Sequence, residues 1–156
     1  MDGNSSDSDN DVFAIEPEKE PEQCRIGTSV GFSFDNYPRT INIAEDSSGG
    51  CGGKTWEAAT VLSDYLVHRY TQNKSFLKGL NIVELGAGTG VVGILAGMML
   101  AETVQESDPK KGKVYITDML FLDLMQKNVD LNMGVEEREC VKVAELKWYV
   151  LDLSAH

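Results

Sequence analysis

Hydrophobic positions along the chain alternate between short apolar runs and longer apolar faces, and their spacing predicts a sequence of elements. Thr28 to Phe34 and Arg39 to Ala44 carry β-branched and aromatic residues in partial alternation, with turn chemistry in Asp35-Asn36-Tyr37-Pro38 between them. That pattern predicts a β-hairpin laid against the main domain. Ala58, Leu62, Tyr65, Leu66 and Arg69 recur at helical spacing and predict a helix with one buried stripe. Leu80 to Val83 is short enough to be a buried strand, extended to Leu85, and Val91 to Ala101 is apolar almost all round, as a helix packed on a sheet is. After the polar loop Gln105 to Lys113, Val114-Tyr115-Ile116-Thr117-Asp118 reads as a second buried strand ending in a carboxylate. Leu120 to Asn132 is predicted helical, with Phe121, Met125 and Val129 among its apolar positions and Gly134 as its C-terminal stop. Cys140 to Leu146 alternates as a third strand. Strand, helix, strand, helix, strand at this spacing predicts an α/β fold, a βαβαβ half of a parallel, doubly wound sheet.

Composition narrows the class. The chain has 156 residues, enough for one domain with a modest core, and 42% of them are hydrophobic. A net charge of -11 argues against non-specific nucleic-acid binding, which needs surplus Lys and Arg. The acid is concentrated at the start, where Asp2, Asp7, Asp9, Asp11, Glu16, Glu18, Glu20 and Glu22 are opposed only by Lys19. Residues 1–22 therefore read as a disordered acidic tail, or as an arm that meets a basic partner. Cys24, Cys51 and Cys140 form no Cys-x-x-Cys pair, which suits free thiols in a reducing compartment. His68 and His156 lie at no metal-ligand spacing, so no metal is expected. No secretory signal is legible, and Val91 to Ala101 falls short of the ~20 residues that span a bilayer. Its Gly93 and Gly97 fit close helix–sheet packing better than a membrane dimer motif. The expectation is a cytoplasmic protein without membrane contact, monomeric, with the nucleus as a second possible compartment.

Candidate chemistry centres on Glu84-Leu85-Gly86-Ala87-Gly88-Thr89-Gly90, where strand turns into helix. Glycine at alternate positions permits positive φ and lets backbone N–H groups approach a ligand. Gly88 to Gly93 matches G-x-G-x-x-G, so nicotinamide, flavin and S-adenosylmethionine sites all come into view. Glu84 places a negative charge at the loop entrance, which repels a pyrophosphate and attracts the ammonium and sulfonium of S-adenosylmethionine. Asp118 suits the hydroxyls of a ribose in either an adenosyl or a dinucleotide site. Ser47-Ser48-Gly49-Gly50-Cys51-Gly52-Gly53 is expected to be a mobile loop leading into Trp56, itself either a core anchor or a pocket wall.

Val83 to Gly90 resembles motif I of class I S-adenosylmethionine-dependent methyltransferases. More narrowly, Gly50 to Trp56, the Asp118 strand and Glu145-Leu146-Lys147-Trp148 resemble the methyltransferase-like 21 family of protein-lysine methyltransferases, nearest its fungal branch acting on translation elongation factor 1-alpha. The resemblance covers roughly Thr28 to Trp148. It implies a Rossmann-like domain over 47–156, preceded by the hairpin over 23–46, and a protein substrate. It also implies that Trp56 borders the methionine part of the cofactor, that Gly86, Ala87 and Gly88 pass beneath it, that Asp118 binds the ribose, and that Trp148 lies near the adenine.

The family's Asp- or Glu-x-x-Tyr- or Phe-like motif, which places the acceptor lysine, is not matched after Trp148, where Asp152 is followed three positions on by Ala155. No catalytic residue is therefore assigned. The expectation is a shortened product of a longer gene, the alternative being a short protein that keeps half a cofactor site. Two further functions stay open: a non-catalytic interaction module using the acidic arm and the third-strand edge, and a nicotinamide-dependent oxidoreductase.

Overall fold

A computed structural model of the protein describes residues 29–46, 48, 50–105, 107, 108 and 110–147. The acidic N-terminal segment and Trp148 lie outside the described residues. Two strands, β1 (Ser29–Phe32) and β2 (Ile41–Ala44), form the expected antiparallel hairpin, with Ser29 opposite Ala44 and Phe32 opposite Ile41. There follow helix α1 (Glu57–Gln72), strand β3 (Asn81–Leu85), helix α2 (Val91–Ala101), strand β4 (Lys113–Asp118), helix α3 (Leu122–Asn132) and strand β5 (Val141–Glu145). β3, β4 and β5 are parallel, in that spatial order, which is the βαβαβ half predicted from the hydrophobic pattern.

Packing explains the order of the layers. Every residue of α2 from Val91 to Leu100 is buried, so the helix is apolar because it is enclosed on all sides, by α1, the sheet and α3. Gly93 and Gly97 make that possible: an added Cβ on Gly93 would stand 2.6 Å from Cγ1 of Ile116, and one on Gly97 would overlap Val141. The close-packing reading of these glycines is thus the one the fold bears out. The hairpin seals the other side of the core, with Ile41 and Ile43 fully enclosed and α3 against β2.

Three predictions are corrected. β3 is an edge strand among the described residues rather than a buried one. Ile82 and Glu84 turn toward α2, while Val83 and Leu85 on the opposite face are 55% and 59% exposed. On α1 the buried positions are Ser63, Val67 and Tyr70, and the predicted stripe through Leu62 and Tyr65 is largely exposed. Both sides of this helix are apolar, so periodicity alone did not tell them apart; small Ser63 and the hydroxyl of Tyr70 select the side that meets α2. Finally, α3 starts at Leu122, not Leu120, because Phe121 takes the left-handed conformation (φ 62) just before it. The helix ends on an extended Met133, so Gly134 is not a left-handed stop.

A three-part clasp ties hairpin, α1 and α2 together. The hydroxyl of Tyr37 donates to Oε1 of Glu102 at 3.1 Å, and that of Tyr70 donates to Oε2 of the same carboxylate. Burial, followed by the carboxylate itself, pushes both phenols above their ordinary range.

Candidate functional site

The carboxyl ends of β3 and β4 open into a cavity of about 530 Å³, within the ~300–1,000 Å³ of small-molecule sites. Trp56, Glu84, Gly86, Ala87, Gly88 and Asp118 all line it. One hollow therefore gathers every candidate residue that lies in the described region. Trp56 is 64% exposed, so it is a wall of this cavity and not a core anchor; its indole N–H donates to the Cys51 carbonyl at 3.0 Å.

The glycine loop is built from left-handed turns. Gly86, Gly88 and Gly90 have φ of 63°, 55° and 80°, a region that an L side chain resists. Gly88 also carries the carbonyl of Gly52 directly above it, 2.5 Å from where a Cβ would stand. The segment predicted to be a mobile loop is therefore, over Cys51–Gly53, a folded 3₁₀ turn seated on the glycine loop. The Asp46 N–H donates to the Gly53 carbonyl at 2.9 Å, and the Phe121 ring closes over Gly52 and Gly53. Glycines here serve close approach, which composition alone reads as mobility.

Glu84 and Asp118 hold the loop from two sides. Oε2 of Glu84 accepts the Gly93 N–H at 2.9 Å, in the first turn of α2. Oδ2 of Asp118 accepts the Gly88 N–H at 2.9 Å, while its Oδ1 accepts the N–H groups of Met119 (2.7 Å) and Leu120 (3.1 Å). Burial raises the Glu84 carboxyl to about 7, with the Gly93 N–H opposing the rise and the Asp118 charge adding to it. The negative charge expected at the loop entrance is thus half neutralised near neutral pH.

This arrangement bears on the ligand. In dinucleotide folds the positive end of the first helix receives the pyrophosphate. Here the Gly93 N–H at that end is taken by the chain's own carboxylate. The geometry favours a ligand that offers cationic groups and a ribose over one that offers phosphates.

Several contributors were not visible in the sequence. The Thr55 hydroxyl pairs with that of Thr89 at 3.0 Å, and the Thr55 N–H donates to Oε1 of Glu45 at 2.8 Å. Asn128, wholly buried, reaches the same loop from α3. A left-handed phenylalanine and a buried mid-helix asparagine leave no periodic signal; the only hint was Asn128's place among apolar neighbours. Among the described residues no group of three or more His, Cys, Asp or Glu is placed to hold a metal, and no helix is long and apolar enough to cross a membrane.

The profile of the lysine methyltransferase family matches residues 35–154. The chain belongs to that family. Its relatives carry the same chemistry in their names. The chain is 37% identical over 119 residues to mouse "Protein N-lysine methyltransferase METTL21A", covering 75% of this chain and 47% of the relative. It is 34% identical over 144 residues to mouse "EEF1A lysine methyltransferase 3" (85% and 55%), and 30% identical over 141 residues to "Protein-lysine N-methyltransferase EFM3" of Saccharomyces cerevisiae (83% and 38%). The chain thus spans about half the length of the curated relatives it matches. As a lysine methyltransferase family member it has the α/β architecture that the hydrophobic pattern predicted, and its matched region spans the cavity lining from Gly52 to Asp118.

Proposed function

We propose that the cavity holds S-adenosylmethionine and that the chain serves the N-methylation of lysine in a protein acceptor, a translation elongation factor in the first instance. The single observation that carries the cofactor choice is the Glu84–Gly93 hydrogen bond, which sets a carboxylate against one N–H of the helix end that a pyrophosphate would approach. The residues fit the group. An added Cβ on Gly86 would meet nothing within 4 Å, so backbone there is open to the cavity. Asp118 has both oxygens engaged by backbone N–H groups, with acceptor capacity remaining on Oδ2 for a ribose hydroxyl. Trp56 offers an exposed aromatic face to the methionine part, and Glu84 a carboxylate to its cationic groups. Bound there, S-adenosylmethionine supplies a methyl group activated by a positively charged sulfur. The protein's share is to orient that methyl and exclude water. The acceptor class rests on the names of the relatives, and a cytoplasmic setting goes with it.

Transfer of tritiated methyl from S-adenosylmethionine to elongation factor 1-alpha, with a lysine-methylated factor as control, tests the acceptor. A parallel titration following NADH fluorescence tests the cofactor. Incorporation into the unmodified factor and a flat NADH titration support the proposal; saturable NADH binding overturns it.

A second reading, a non-catalytic interaction module, draws on the exposed Val83 and Leu85 along the open side of β3. It predicts partner capture by a protein that binds no S-adenosylhomocysteine.

A further inference from the structure

Asn128 is a polar side chain with no exposed surface, in the middle of α3. Burying an amide is costly unless its hydrogen bonds are made. All of its main bonds are made, and to two segments at once. Its Oδ1 accepts the Ala44 N–H at 2.8 Å, and its Nδ2 donates to the Ala44 carbonyl at 3.0 Å and to the Thr89 carbonyl at 2.9 Å. The amide thus stands in for a third strand beside β2 and spends its remaining donor on the glycine loop.

One helical turn on, Asn132 repeats half of this. Its Oδ1 accepts the Asn42 N–H at 2.7 Å, and its Nδ2 donates to the Asn42 carbonyl at 2.8 Å. Both asparagines latch α3 to β2; of the pair, Asn128 is bonded to the loop. Thr89, itself buried, lies between Gly88, held by Asp118, and Gly90, whose N–H closes a turn on the Ala87 carbonyl at 2.8 Å.

We propose that Asn128 is a positioning residue that couples the hairpin to the cofactor loop, setting the loop's shape and hence its ligand affinity beyond any effect on stability. The affinity part of this inference rests on the S-adenosylmethionine reading; the loop-shape part does not.

Asn132 supplies the control. Asn128→Ala and Asn132→Ala in the full chain each remove a latch on β2, and thermal melting measures that shared loss. Amide hydrogen exchange over 86–90 and calorimetric titration with S-adenosylhomocysteine measure what is specific to Asn128. The expected result is about tenfold faster loop exchange and about tenfold weaker binding for Asn128→Ala, one buried hydrogen bond's worth, with both within twofold of wild type for Asn132→Ala. Equal effects of the two variants on loop exchange, or none from Asn128→Ala, overturn the proposal. Should Asn128→Ala not fold, Asn128→Ser keeps a small uncharged polar group at the site without the amide's two donors, and the same comparison decides. A folded wild type that binds no S-adenosylhomocysteine overturns the cofactor reading, and loop exchange then decides the role of Asn128 alone.

Discussion

Glu84 and Asp118 each hold the glycine loop by main-chain bonds, and under the proposed function each also faces the ligand. Burial lifts Glu84 to about 7, so under the proposed function binding of a cationic ligand near neutral pH releases part of a proton. Affinity for S-adenosylmethionine should therefore rise about tenfold between pH 6 and 8, and Glu84→Gln should lose that share of the pH dependence. Titrations in buffers of different ionisation heat check it through the protons released. The same shift acts on the ligand-free fold with a definite sign. A folded-state value raised from 4.5 to about 7 gives a contribution present below 4.5 and lost as pH rises through 7, about 3 kcal/mol in all. Urea midpoints should fall over that window more steeply in wild type than in Glu84→Gln. Asp118 was expected from the sequence to hold a ribose. Its three bonds to main-chain N–H groups add a structural share: Asp118→Ala should cost about 1–3 kcal/mol without ligand as well as weakening binding, read by thermal melting and titration together.

Elements are joined by a few shared polar groups rather than by apolar contact alone. Tyr37 from the hairpin loop and Tyr70 from α1 meet on the carboxylate of Glu102, their rings edge to face at 6.0 Å. Because one carboxylate serves both, Tyr37→Phe and Tyr70→Phe should each cost about 1 kcal/mol and should couple when combined. A double-mutant cycle by urea denaturation measures the coupling; strict additivity would show two independent bonds. The difference between α2 and α1 explains what was legible from the sequence. α2 is apolar on every side, so any orientation yields the right burial, and its span was readable to within a residue. α1 offers two apolar sides, and the choice depends on partners far along the chain: Glu102 for Tyr70 and the cavity for Leu62. Likewise Gly86, Gly88 and Asp118 were readable because glycine spacing and a strand-end carboxylate are local patterns. Asn128, Phe121 and the Gly52 carbonyl act through contacts between distant segments, which no local pattern records.

At the scale of the whole molecule, α2 and α3 cover the Val114–Ile116 side of the sheet, while Val83 and Leu85 stand exposed on the other. Val61, Leu62 and Tyr65 of α1 add further exposed apolar surface. The exposed face of β3 carries Val83 and Leu85 without a charge or proline, while its one charged residue, Glu84, turns the other way to Gly93. Val83→Lys should raise the soluble fraction on concentration while shifting the melting temperature little, as light scattering and thermal melting would show. Above the glycine loop the proposed ligand is S-adenosylmethionine, and calorimetric titration of the folded chain with S-adenosylhomocysteine reads that site. One site is expected, weakened at least about tenfold by Asp118→Ala; no heat at millimolar ligand from a sample shown to be folded would contradict it.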